Sequence, residues 1–136
     1  MFRQRPDGLD NVVCDSQVMI LDGLSIKRIT FIGFCTWGYF KENFELKCVD
    51  ETVEYAKAYF SDIAWPLEKG SECCFATEKA LYTDGCKYFT EVKMKDGTGV
   101  GYLYYYTTEF SEEKKVKKII FPQNCSMHIF AITIDK

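Results

Sequence analysis

Asp50-Glu51-Thr52-Val53-Glu54-Tyr55-Ala56-Lys57-Ala58-Tyr59-Phe60-Ser61-Asp62-Ile63-Ala64-Trp65-Pro66 is the stretch on which the fold class depends. Val53, Ala56, Phe60, Ile63 and Ala64 recur at helical spacing and make one apolar stripe. Asp50 is placed to cap the free N–H groups of a first helical turn, and Glu51 and Glu54 sit where the positive end of a helix dipole favours carboxylates. Trp65-Pro66 closes the run, because the residue before a proline avoids helical geometry. The pattern predicts an α-helix over about residues 51–64.

Both flanks of this stretch read as strands. Residues 17–21, 26–34 and 44–49 are short runs rich in β-branched and aromatic side chains. Asp22-Gly23 has the chemistry of a hairpin turn, and a second turn is expected near Lys41-Glu42-Asn43. Downstream, strands are expected at residues 79–83, 86–94 and 100–108, separated by Asp84-Gly85 and by the glycine-bearing residues 95–99. Residues 111–115 read as a charged loop or a short helical turn. The last two strands are 116–121 and 127–134, with Pro122 marking the turn between them.

The expected architecture is α+β: a predominantly antiparallel sheet of about seven or eight strands, packed on or wrapped around one central helix. Hot-dog and other helix-on-curved-sheet folds share that outline. Residues 1–12 are expected to be a flexible lead-in and 13–136 a single domain, since 136 residues at 47% hydrophobic supply one core and not two. Phe31, Phe34, Phe60 and Phe89 are the expected core aromatics.

Charge and cysteine usage bound the function. A net charge of −3 excludes a surface built throughout to neutralise nucleic-acid phosphates, so nucleic acid is not an expected partner. No run approaches the ~18–20 apolar residues of a membrane-spanning helix, and the first residues lack a signal-type apolar core. The expectation is a cytoplasmic protein. Seven cysteines keep open the alternative of a secreted form with its signal already removed, stapled by up to three disulfides.

No motif names a reaction. His128 is the sole histidine and would need a cysteine such as Cys14, Cys86 or Cys125 beside it for thiol catalysis; the plainer reading is a histidine on a strand face. Cys73-Cys74 is the one close cysteine pair, and vicinal cysteines rarely direct both sulfurs at one metal. Gly97-Thr98-Gly99-Val100-Gly101 lies between strands and feeds no helix, so it lacks the anion-binding N–H groups of a phosphate loop. Lys114, Lys115, Lys117 and Lys118 follow Glu109, Glu112 and Glu113, whose charges largely cancel theirs. No catalytic residue, cofactor or metal is expected.

Surface character remains. Residues 50–78 carry seven acidic side chains against two lysines, with Tyr55, Tyr59 and Trp65 nearby, while the lysines gather near the C-terminus. Strand alternation puts Tyr102, Tyr104 and Tyr106 on one face and Leu103 and Tyr105 on the other. The expected function is a non-catalytic binding or inhibitor protein, similar in general character to immunity proteins and phage or viral anti-defence proteins. Its expected contact residues are Glu51, Glu54, Tyr55, Tyr59, Asp62, Trp65, Tyr102, Tyr104 and Tyr106, facing a basic protein partner. One alternative is a small-molecule or nucleotide binder with a pocket between helix and sheet, lined by Phe60, Trp37, Tyr39, Trp65 and the tyrosines. The other is a hot-dog-like or thiol-dependent enzyme.

Overall fold

The computed structural model describes residues 11–63, 87–93 and 100–136. These are almost wholly strand: β1 (Val12–Asp15), β2 (Val18–Cys35), β3 (Phe40–Cys48), β4 (Val53–Phe60), β5 (Lys87–Lys93), β6 (Val100–Ile120) and β7 (Gln123–Asp135). The strand order is β1-β7-β2-β6-β3-β4, every pairing is antiparallel, and β5 adds to β6 alone. The sheet curls into a half-barrel around an apolar interior. Among the described residues there is no helix, so the α+β expectation is overturned, and none is long and apolar enough to cross a membrane.

The stretch expected as a helix is a hairpin. Glu51 N–H donates to the Cys48 carbonyl at 3.1 Å and Cys48 N–H to the Thr52 carbonyl at 2.9 Å, while Glu51 adopts a left-handed φ of 70°. This is a short hairpin loop closed by a left-handed residue. Asp50 does cap, but it caps the turn: its carboxylate accepts the Thr52 N–H at 3.1 Å and the Thr52 hydroxyl. Beyond it, Ala56, Ala58 and Phe60 are fully buried while Tyr55 and Lys57 are exposed, which is the two-residue period of a strand. The same residues satisfy a helical stripe. The two alanines fit either period, so local pattern does not choose; pairing along the whole of β3, from Phe40 opposite Phe60 to Lys47 opposite Val53, does.

Three expected turns are not reversals. Asp22 and Gly23 have positive φ (53° and 82°) but lie within β2: Ile20 is opposite Lys118 and Leu24 opposite Val116, so the pair forms a bulge that bends the strand. At Pro122 the chain also runs on. Val18 pairs with Ile120 and Asp15 with Gln123, with Phe121 N–H on the Gln17 carbonyl (2.9 Å) and Ser16 N–H on the Pro122 carbonyl (3.2 Å) between them. The register is unbroken, so β6 and β7 form one ribbon alongside β1 and β2. Proline interrupts only by lacking an N–H. Residues 41–43 lie inside β3, and the real turn is at residues 36–39, where Trp37 and Gly38 have φ of 63° and 119°. Residues 111–115 lie inside β6, whose offset register against β2 between Ile26 and Arg28 gives the second bend.

The interior is aromatic. Phe31 stacks on Phe44 at 4.1 Å between centroids, and Phe121 meets Phe44 edge-on at 5.0 Å. Phe60, Ile29, Leu46, Ile119 and Met127 complete a fully buried centre. Gly33 is required where β7 crosses: a Cβ there would stand 2.0 Å from the His128 carbonyl oxygen and 2.9 Å from the Phe60 ring. Phe31, Phe34 and Phe60 are buried as expected, and the side chain of Phe89 lies outside the described residues. The expected strand at 79–83, the turns at 84–85 and 95–99, and Cys73-Cys74 also lie outside them.

Candidate functional site

Residues 61–63, which follow β4, form a wedge that locks one end of the half-barrel. The β2–β6 ladder ends at Gly33 opposite Tyr104, and the strands then part around this segment. Cys35 N–H donates to the Ser61 carbonyl (2.8 Å), Ile63 N–H to the Cys35 carbonyl (2.9 Å), and Tyr102 N–H to the Ile63 carbonyl (2.9 Å). The Tyr104 hydroxyl donates to the Asp62 carbonyl at 3.1 Å, and the Asp62 carboxylate accepts the Gly38 N–H at 2.9 Å.

Between β1, β3 and the start of β7 lies a cleft of about 860 Å³. β1 and the turn after it contribute Val13, Cys14, Asp15 and Gln17; β3 contributes Phe40 and Glu42; the start of β7 contributes Gln123, Asn124 and Cys125. Asn124 Nδ2 donates to Glu42 Oε1 at 2.9 Å, tying the two walls and orienting the carboxylate. Gln17 is held by its own backbone neighbours: Nε2 donates to the Val13 carbonyl (2.7 Å) and Oε1 accepts the Asp15 N–H (2.6 Å). The lining joins apolar side chains to amides and two carboxylates, with no lysine or arginine.

Cys14 is buried, and burial together with the Glu42 carboxylate pushes its thiol up to about 12. It therefore stays protonated and is a poor nucleophile. His128 pairs with Val13, so the imidazole and the Cys14 thiol point to opposite faces of the sheet. The ring instead stacks on Phe34 at 4.6 Å, its Nδ1 meets Asn11 Oδ1 at 2.9 Å, and burial lowers its pKa. The thiol–imidazole pair expected of a Cys14 enzyme is not assembled. Cys35 and Cys48 are buried thiols and Cys125 an exposed one. Among the described residues no group of three His, Cys, Asp or Glu side chains could hold a metal ion.

The residues expected to bind a partner are dispersed. Glu51 and Glu54 are not a free acidic face: Lys117 Nζ lies 2.6 Å from Glu51, and Lys114 Nζ 3.1 Å from Glu54. Charges that segregate along the sequence are neighbours in space. Tyr104 is fully buried, and Tyr59 is buried 6.3 Å from the Tyr106 ring with Lys41 Nζ 5.0 Å from its own centroid. Tyr102 and Tyr106 pack partly against the core, Asp62 belongs to the wedge, and Tyr55 is exposed on β4. Trp65 lies outside the described residues. Among the described residues no helix–sheet pocket forms: Phe60 is in the core and Trp37 stands 91% exposed on the 36–39 turn. No cleft residue was marked by sequence as a binding residue. The one available signal was the density of Asn, Gln and acidic side chains at strand ends, which is equally the signature of turns.

No protein-family model matches the chain, and a search of curated proteins finds no relative.

Proposed function

We propose that this is a non-catalytic binding protein whose ligand enters the cleft between β1, β3 and the start of β7. The observation that carries this reading is the Glu42 carboxylate, held by Asn124 over an apolar floor in a space of about 860 Å³. That volume is within the usual range of about 300–1,000 Å³ for small-molecule sites. Two carboxylates without a cation in the lining favour a ligand with an ammonium or another strong hydrogen-bond donor. Val13 and Phe40 favour an apolar body behind it. An oriented carboxylate facing such a donor makes a charge-assisted hydrogen bond, roughly twice as strong as a neutral one.

Thermal melting with tryptamine and spermidine as probes tests this. A ligand that binds only the folded state raises the melting temperature with concentration. The expected result is a shift with tryptamine that Glu42→Gln removes, with the unliganded midpoint nearly unchanged. No shift with either amine, or a shift that Glu42→Gln leaves intact, overturns the reading.

A further inference from the structure

Among the described residues, half of β2 has a neighbour on one side only. β7 pairs with β2 from Arg28 to Cys35, and β6 pairs with it on the other side from Val18 onward. Among the described residues nothing pairs with the second side of residues 18–26. A row of backbone donors and acceptors without strand partners is a template for another strand. Asp22-Gly23 limits it: the bulge leaves residues 18–21 as the straight segment. Val18 and Ile20 there are 50% and 63% exposed, on the same face, while Met19 and Leu21 lean on the core.

The charges beside this edge choose between occupants. Across residues 12–26 the charged side chains are Asp15 and Asp22, both exposed, one at each end of the straight segment. A second copy paired antiparallel about Met19 or Ile20 would set Asp22 opposite Ser16 or Val18 and Asp15 opposite Gly23 or Ser25, leaving every carboxylate without a cation. A strand with apolar residues in its middle and a cation at each end has the complementary pattern.

We propose that the edge at residues 18–21 is a strand-addition site for an extended peptide segment of a partner protein, with aliphatic residues at alternate positions and Lys or Arg flanking them. Main-chain hydrogen bonds supply the attachment, Val18 and Ile20 the side-chain contact, and Asp15 and Asp22 the selectivity. The site shares Asp15 with the cleft, and its readout at residues 18–21 does not depend on the amine reading.

The probe is a synthetic octapeptide of alternating valine and threonine with lysine at both ends, titrated into the full chain. Amide hydrogen exchange and NMR shifts are followed at residues 18–21. The expected result is slowed exchange confined to those residues and their neighbours on β6. The same peptide ending in glutamate should bind about tenfold more weakly at low salt, as charge complementarity requires. The double variant Asp15→Lys, Asp22→Lys should reverse the preference, with an unchanged melting temperature showing that it folds. Equal binding of both peptides, protection elsewhere in the chain, or no protection at all overturns the proposal. So does a chain that dimerises through residues 18–21 in sedimentation while ignoring the lysine peptide.

Discussion

The β3–β4 hairpin and the run from β1 into the first half of β2 each carry a margin of one sheet, yet they are finished in opposite ways. The hairpin folds inward. Ala56, Ala58 and Phe60 enter the core, Lys57 N–H reaches the Thr108 hydroxyl at 3.0 Å, and residues 61–63 are wedged between β2 and β6. The ribbon stays outside, with Val13, Val18 and Ile20 exposed and the cleft beneath its first residues. Closing one side by packing and main-chain bonds leaves the other side open without loss of the core. Buried packing is thus gathered on one region of the sheet and exposed apolar side chains on another.

The largest effects should fall on the closed side. Phe60→Ala empties the centre of the core and should cost about 3–5 kcal/mol in denaturant unfolding. Gly33→Ala forces a methyl against the His128 carbonyl and the Phe60 ring and should cost about 3 kcal/mol. Ile20→Thr on the open ribbon should stay within about 0.5 kcal/mol of the parent. Equal losses at Phe60 and Ile20 would erase the distinction.

Alkaline unfolding comes next. The folded pKa of Cys14 is raised above its ordinary 9.0, to about 12, so its contribution is fully present below pH 9 and is lost as pH climbs toward 12. Cys14→Ala should flatten that part of the stability profile. An unchanged profile would mean that water reaches the thiol and that the cleft floor is looser than drawn.

Tyr104→Phe removes the hydroxyl bond to the Asp62 carbonyl and should cost about 1 kcal/mol, leaving the wedge otherwise packed. A smaller acid effect is expected from His128. Its folded pKa lies below the ordinary 6.5, so its contribution is present above pH 6.5 and fades as pH falls through the folded value. His128→Gln should remove that acid-side slope. Smallest of all is Glu51→Gln: its bond to Lys117 is solvent-exposed, and the melting temperature should not move measurably, least of all in high salt.

Much of the strand content was legible, because β-branched and aromatic runs outside residues 50–66 have no competing period. Phe31 and Phe34 were legible as core for the same reason, and Phe60 because it is an inward position in either period. The region 50–64 was not, since Val53, Ala56 and Phe60 fit a helical stripe as well as Ala56, Ala58 and Phe60 fit a strand. The cleft was not legible either: Val13, Glu42 and Asn124 are distant in sequence and meet only because β1 pairs with β7 while the sheet curls back toward β3.

Local chemistry alone determined that the chain must bury one aromatic core, that Asp50 would cap a chain break, and that Asp22-Gly23 would take positive φ. Tertiary structure decided what those signals meant. Capping, positive φ and proline each describe one residue's backbone preference, and that preference is compatible with a turn, a bulge or a straight ribbon. Which of these forms depends on the partner strand, and that partner can lie more than a hundred residues away: Asp15 reads its neighbour at Gln123. The same long-range pairing sets Glu51 beside Lys117 and turns a chain with segregated charge into a surface where those charges meet.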